Sequence, residues 1–441
     1  MKNHRKLLKL QPPQFIVLVF LAFIGLGTLL LKLPFSTTET IRWVDALFTS
    51  TSAMTVTGLA VVDTDTAFTL FGELVILLLI QTGGLGIMTF AVLIFLMLGK
   101  KIGFKQRLII QQALNQSNPG GIVRLVKQLL YFSLIIEAVG AIVLAVRWVP
   151  EFGWGRGIYV SIFHSVSAFN NAGFSVWSDS MSGYVGDPIV NIVISILFII
   201  GGIGFTVLND LYVNRKFKKL SLHTQLMLIG TLVINVVAML FIFIFEFNNP
   251  GTLGSLSLSD KIYASYFQAV TTRTAGFNSV DIGALEEPTS IFMLLLMFIG
   301  AGSASTGGGI KLTTFLIIIF TVGAFLKGNK EIVVRHRRIE FNLVVKALAI
   351  LTISISFVFV SILILSITER MPVLPIAFEV FSAFGTVGLS MGLTSILTDL
   401  GKCIIVLVMF FGKLGPLTLA FSLAKKHIEK IRYPSEDVLA G

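Results

Sequence analysis

The feature that most restricts what this chain can fold into is a short stretch written four times. The copies are Thr55-Val56-Thr57-Gly58-Leu59, Asn170-Asn171-Ala172-Gly173-Phe174, Arg273-Thr274-Ala275-Gly276-Phe277 and Gly385-Thr386-Val387-Gly388-Leu389. In each, a bulky apolar residue follows a single glycine. The glycines lie 115, 103 and 112 residues apart, and four such periods account for almost all of the 441 residues. Repetition at a fixed period means related units, so the fold has to explain what four copies of one loop build together.

The surroundings of the loops fix the solvent. Hydrophobic residues make up 55% of the chain and charged ones 13%, about half the charge of an ordinary soluble domain. Apolar runs at 15–31, 226–245 and 344–367 match the 20 or so residues that cross a bilayer. The chain is expected to be an integral membrane protein. The first run ends in Lys32-Leu33-Pro34 without a small-residue cleavage pattern, so it reads as an uncleaved span. The single cysteine, Cys403, excludes an internal disulfide or a thiolate metal cluster.

A net charge of +11 would point to nucleic acid in a soluble protein, but its placement points elsewhere. The stretches 1–14, 99–128, 214–225, 326–343 and 425–441 hold 23 of the 34 Lys and Arg and only five of the 23 acids. Excess Lys and Arg in short loops marks the cytoplasmic face. Both termini are then cytoplasmic, and all four repeated loops enter from the outer side. The basic runs orient the chain among membrane lipids, and no nucleic-acid partner is implied.

Each unit reads in one order: a long apolar span, a helical segment of about half that length, the glycine loop, a second span. The half-length segments are 43–54, 158–169, 262–272 and 376–384, too short to cross a bilayer and suited to re-entrant helices. The expected architecture is all-α, with eight spans and four re-entrant loops around a central pore. The units cover 1–113, 114–220, 221–340 and 341–441.

Irregular backbone is tolerated at membrane depth only where protein buries it or water lines it. Four such loops on one axis can aim carbonyls at that axis and replace the hydration shell of an alkali cation. The C-terminal end of each half-helix, partly negative, would favour the cation. Any one of the 40 glycines taken alone is an ordinary turn residue; four in register, each behind a half-helix, are not. The candidate ion-binding set is therefore Thr55, Val56, Thr57 and Gly58; Asn170, Asn171, Ala172 and Gly173; Arg273, Thr274, Ala275 and Gly276; and Gly385, Thr386, Val387 and Gly388.

A second register follows. The next span reaches a small-residue cluster 25, 28, 24 and 24 residues after each loop glycine, at Gly83, Gly201, Gly300 and Gly412. For three of them close helix packing or a bend suffices. The third continues as Gly300-Ala301-Gly302-Ser303-Ala304-Ser305-Thr306-Gly307-Gly308-Gly309, too rich in Gly and Ser for stable helix. It reads as an intramembrane loop below the ring, a candidate gate; a kinked long helix is the alternative. Lys311 does not stand at the spacing of a phosphate-binding loop.

Lys413 lies 12 residues before Lys425-Lys426, about 18 Å along a helix and too deep to reach the interface. An ionisable group there is functional by default. It is assigned to the gate as a fixed positive charge, with pairing to Glu137 or Asp210 as the alternative. Two rival functions are an alternating-access, sodium-coupled symporter built on the broken third unit, and an intramembrane hydrolase using Ser303 or Ser305 with His164. No metal-ligand spacing or paired carboxylates accompany either, and no catalytic residue is assigned.

With these motifs in place the chain resembles the Trk/Ktr/HKT superfamily of cation transporters, most closely the Ktr-type membrane subunits. The resemblance spans essentially all of the chain. It implies potassium selectivity from the four glycine loops, with Gly58 where sodium-preferring plant relatives often carry Ser. It also implies gating by 300–309, with Lys413 where many relatives have Arg. It further implies a homodimer in a bacterial plasma membrane and a cytoplasmic nucleotide-binding RCK ring of KtrA or KtrC type as regulatory partner. Potassium would be the substrate and sodium an activator, with no cofactor.

Overall fold

A computed structural model describes residues 12–86, 122–415 and 436. Nearly all of the basic stretches at the two termini, most of the one at 99–128 and the boundary at 113/114 lie outside the described residues.

The first unit consists of α1 (Pro12–Leu31), α2 (Trp43–Thr55), a single turn α3 (Thr64–Ala67) and α4 (Leu70–Leu85). The second is α5 (Ile122–Phe169), α6 (Pro188–Ile203) and α7 (Phe205–Val213). The third is α8 (Leu222–Glu246), α9 (Leu258–Thr271), α10 (Glu287–Phe298) and α11 (Leu312–Leu326). A hairpin, β1 (Ile332–Val334) and β2 (Arg337–Ile339), leads to α12 (Phe341–Glu369), α13 (Val373–Gly385) and α14 (Asp399–Leu414).

Each loop glycine follows a helix of half length or, in the second unit, the last part of a longer one. There α5 runs through the position of a turn and breaks at Gly153 (φ 78°), three residues after Pro150. That break separates the unit's first long span from the expected half-helix at 158–169. Some helix starts carry side-chain caps: Ser221 accepts from the Thr224 N–H, Ser257 from the Asp260 N–H and Thr398 from the Gly401 N–H, each satisfying an otherwise orphaned donor.

Among the described residues, α1, α5, α8 and α12 contain stretches long and apolar enough to cross a bilayer. The α6–α7 pair, bent by 93°, would make a fifth. Their outward faces remain apolar: on α8, Leu232, Val236, Leu240 and Ile244 are exposed, the pattern of a surface that meets lipid rather than water.

The mostly helical architecture carries one small addition. The chain is not purely helical, because the basic stretch at 326–343 contains a two-stranded antiparallel hairpin with Val334 opposite Arg337. Its two-residue turn, Arg335 (φ 49°) and His336 (φ 63°), has the positive φ values that a tight hairpin demands. Nothing in these side chains advertises such a turn, which is why the pattern is invisible in sequence. The Arg335 guanidinium lies 5.2 Å from the Phe217 ring, so the basic stretches of the second and third units meet on one side of the molecule. Elsewhere, residues inside different units pair across them: Arg42 of unit one with Asp399 of unit four at 2.8 Å, and the Met181 N–H of unit two with the Asn278 carbonyl of unit three at 2.9 Å.

The small-residue clusters explain how the second helices approach the half-helices. A Cβ on Gly83 would strike the Met54 carbonyl oxygen, one on Gly201 the Phe169 oxygen and one on Gly412 the Phe384 oxygen. In each case the struck carbonyl lies four residues before the unit's loop glycine. Glycine is required because helix and backbone touch directly.

Candidate functional site

The four repeated glycines form a closed ring. A Cβ on Gly58 would sit 2.5 Å from the Ala172 carbonyl oxygen, and one on Gly173 would sit 3.0 Å from the Ala275 oxygen. One on Gly276 would collide with the Val387 oxygen, and one on Gly388 with the Thr57 oxygen. Each unit thus leans on the residue before the next unit's glycine, in the order one, two, three, four and back to one. Units two and four stand opposite each other.

Local chain chemistry produces the loops. In units one, two and four the half-helix ends in a paired cap: the N–H of Val56, Asn171 or Thr386 meets the carbonyl three residues back. The next N–H (Thr57, Ala172, Val387) meets the carbonyl five residues back, at 2.8 Å in all three. This double bond pattern terminates a helix through a left-handed residue, normally glycine. Here that residue is Val56 (φ 50°), Asn171 (φ 56°) or Thr386 (φ 50°), and Thr274 (φ 90°) stands at the same place in unit three. A left-handed conformation costs a side-chain-bearing residue about 1–2 kcal/mol, and such strain gathers at functional sites. Two residues further, Gly58, Gly173, Gly276 and Gly388 have φ of 91°, 68°, 78° and 95°, with one residue of negative φ between in each loop.

Hydroxyls from the half-helices secure these strands. Ser52 accepts from the Gly58 N–H (3.1 Å) and Ser382 from the Gly388 N–H (3.0 Å). Ser167 and Thr271 donate to the carbonyls of Phe174 and Phe277, each at 2.7 Å. The bulky residues after the glycines, Leu59, Phe174, Phe277 and Leu389, are buried wedges behind the ring. Ser52, Ser167 and Ser382 all lie six residues before a loop glycine, a register the sequence reading did not use.

The first residue of each four-residue set points away from the ring. Thr55 bonds to the Thr51 carbonyl and to Thr57. The Asn170 amide donates to Gln81 and Glu137. Arg273, buried, reaches Asn235 and the Gly300 carbonyl at 3.4 Å each, and Gly385 packs its backbone on the Met297 carbonyl.

The segment between α10 and α11 is non-helical and lies against the ring. Thr306 receives the Asn171 amide at 2.7 Å, Gly308 donates its N–H to Thr386 at 2.8 Å, and a Cβ on Gly307 would come 2.6 Å from the Thr274 hydroxyl. The left-handed residues of three loops therefore hold this segment. Gly302 and Thr306 donate their N–H groups to the carbonyls of Gly202 and Gly201, Gly309 donates to Gly412, and the Ala304 carbonyl receives the Phe205 N–H. Gly300 and Ala301 close its base against Ile310 and Leu312, and Ser303 pairs with Thr313 at 3.2 Å. The Ser305 hydroxyl is buried without a hydrogen-bond partner among the described residues.

Lys413 donates its ammonium to the Thr306 carbonyl. The alternative pairings do not form: Glu137 accepts from Gln81 and Asn170, and Asp210 from Asn214, Ser221 and Thr224. A second lysine was missed. Lys311 donates to the Gly307 carbonyl at 2.6 Å, so two ammonium groups end on adjacent carbonyls of one loop. His164 is buried between the Val160 carbonyl and Ser175, stacked on Trp177, and is engaged with neither Ser303 nor Ser305. Among the described residues no group of three or more His, Cys, Asp or Glu could hold a metal ion. In the loop before α6, burial first and then the bond to Glu151 raise the pKa of the Tyr184 hydroxyl, which stays a donor.

Comparison with known proteins places this geometry. The chain is 58% identical over 436 residues to Ktr system potassium uptake protein B of Bacillus subtilis, covering 99% of this chain and 98% of that relative. It is 42% identical over 431 residues to the protein of the same name from Vibrio alginolyticus, covering 97% and 95%. The crystal structure of the potassium transporter TrkH from Vibrio parahaemolyticus superposes with a TM-score of 0.75 at 23% identity, over 93% of this chain and 84% of that one. The family model described as TrkH, cation transport protein, matches residues 11–431. The protein that carries this ring of four glycine loops belongs to the TrkH family of cation transport proteins.

Proposed function

We propose that the chain takes up potassium through a central pore in the bacterial plasma membrane, selecting the ion with backbone carbonyls of the four loops. The observation that carries this reading is the closed ring of glycine contacts, with alternating backbone handedness in all four strands. A ring of peptide oxygens can stand in for the water around an alkali cation, and four helix C-termini converge on it with their partly negative ends. The similarity to potassium uptake proteins supports potassium as the ion.

In this account the four units, with boundaries at 113/114, 220/221 and 340/341, supply eight spans and four re-entrant loops. Both termini and the hairpin at 332–339 are cytoplasmic. The loop at 300–309 blocks the path below the ring, held shut by Lys311 and Lys413 as fixed positive charges. Two copies of the chain assemble on a cytoplasmic RCK ring, which opens the loop in response to nucleotide, and sodium activates transport. No catalysis is required. One charge moving through 100 mV gains about 2.3 kcal/mol, enough for roughly 50-fold accumulation.

The test is ion uptake by the full chain in a transport-deficient cell, with and without an RCK partner, comparing the unmodified chain with Gly58→Ser. The substitution puts a Cβ 2.5 Å from the Ala172 oxygen at φ 91°, so the preference for potassium over sodium should fall. Equal preference in the two chains contradicts the reading.

A further inference from the structure

The four loops are not braced alike, and the difference follows the ring's diagonal. Nine residues before the loop glycine stand Thr49, His164, Phe267 and Glu379; two residues after it stand Ala60, Ser175, Asn278 and Ser390. Only in units two and four do both positions carry groups able to bond to one another, and they do. His164 Nδ1 faces the Val160 carbonyl at 2.9 Å, so it carries the proton. Nε2 then accepts from the Ser175 hydroxyl at 3.1 Å. Ser390 donates to one Glu379 oxygen at 2.8 Å, and Thr394 donates to the other. Both serines also cap the strand just beyond them, Ser175 accepting from the Trp177 N–H (2.9 Å) and Ser390 from the Gly392 N–H (3.1 Å).

His164 and Glu379 are fully buried, and among the described residues no ion pair reaches Glu379. A carboxyl held in the interior by two hydroxyls is costly to keep unless those bonds serve a purpose. Among the described residues the equivalent positions of units one and three form no such bond: the Thr49 hydroxyl is buried without a partner, and Phe267 offers none.

We propose that Glu379 and His164 are positioning residues that pin the outer limbs of two opposite loops and thereby fix the width of the ring. The inference rests on the pore reading above. A ring can disfavour the smaller sodium ion only while its walls resist closing in, and braces on opposite walls oppose that motion most directly. The residues act through Ser175, Ser390 and Thr394 and need not touch the ion.

The test uses the full chain in lipid vesicles, with potassium and sodium fluxes measured separately. Glu379→Ala, and the loop double variant Ser390→Ala with Thr394→Val, should each lower the potassium-to-sodium flux ratio at least tenfold. Glu379→Gln, which keeps an acceptor for a hydroxyl, should stay within threefold of the unmodified chain. A merely structural role would reduce both fluxes in proportion and leave the ratio unmoved, and that result overturns the proposal. If Glu379→Ala does not fold, the double variant decides alone. An unmodified chain without potassium preference rejects the pore reading itself, whereas a selective chain with unmoved variants rejects only the brace.

Discussion

Replacing Lys413 with methionine tests the closed state of the pore with a magnitude taken from its contacts. In the structure the Lys413 ammonium donates to the Thr306 carbonyl, on the loop that the Asn171 and Thr386 side chains hold against the ring. Methionine keeps the length and the packing of the stem but removes the charge and the donor. A hydrogen bond to a charged group contributes about 1.5–3 kcal/mol. If that bond forms only with the loop in place, its loss raises the fraction of displaced loop by about 10- to 150-fold, at about 1.4 kcal/mol per factor of ten. Lys311, still on Gly307 at 2.6 Å, limits the effect, so Lys311→Met with Lys413→Met should exceed either alone. The assay is potassium flux into vesicles containing only this chain, at equal protein density. Lys413→Arg should behave nearly as the unmodified chain does. A folded Lys413→Met protein with equal or lower flux refutes the gate assignment.

Other substitutions separate the remaining parts of the account. Asn171→Ala removes the 2.7 Å bond to Thr306, about 1 kcal/mol, and should raise flux without a partner roughly fivefold; unchanged flux would show that the loop does not depend on the ring. Lys402→Met breaks a buried 2.7 Å ion pair with Asp45 that joins α14 to α2. Loss of one partner of a buried pair costs about 3–5 kcal/mol. Arg42, which also bonds Asp45, reduces the expected loss to about 2–3 kcal/mol, read as a lower Tm in detergent. An unaltered Tm would remove that pair from the stability of the bundle. Gly58→Ser should cut potassium preference in the uptake comparison, as derived from the 2.5 Å approach to Ala172.

The ring was legible because its signal is repetition. Four glycines in register required no knowledge of packing, and Gly83, Gly201 and Gly412 followed from a second count along the same chain. Its spacing to the basic tail singles out Lys413 in the sequence, but that spacing does not give its acceptor. That contact depends on Thr306, 107 residues away, and on a loop path set by backbone bonds to α6, α7 and α14. Lys311 was passed over because it was judged only against a phosphate-binding spacing. The serines that secure the strands were overlooked because serine in a half-helix looks like an ordinary polar residue. Their meaning appears only when the units are aligned on their glycines. The hairpin at 332–339 left no trace, since its turn residues, Arg335 and His336, are unusual in that conformation.

The most direct test of the central claim is crystallographic location of rubidium or thallium, as stand-ins for potassium, by anomalous scattering from crystals of the full chain. The account places an ion on the axis of the ring, encircled by the carbonyls of the loops that carry Gly58, Gly173, Gly276 and Gly388. A ring free of anomalous density, with the ions bound elsewhere in the membrane region, would contradict it.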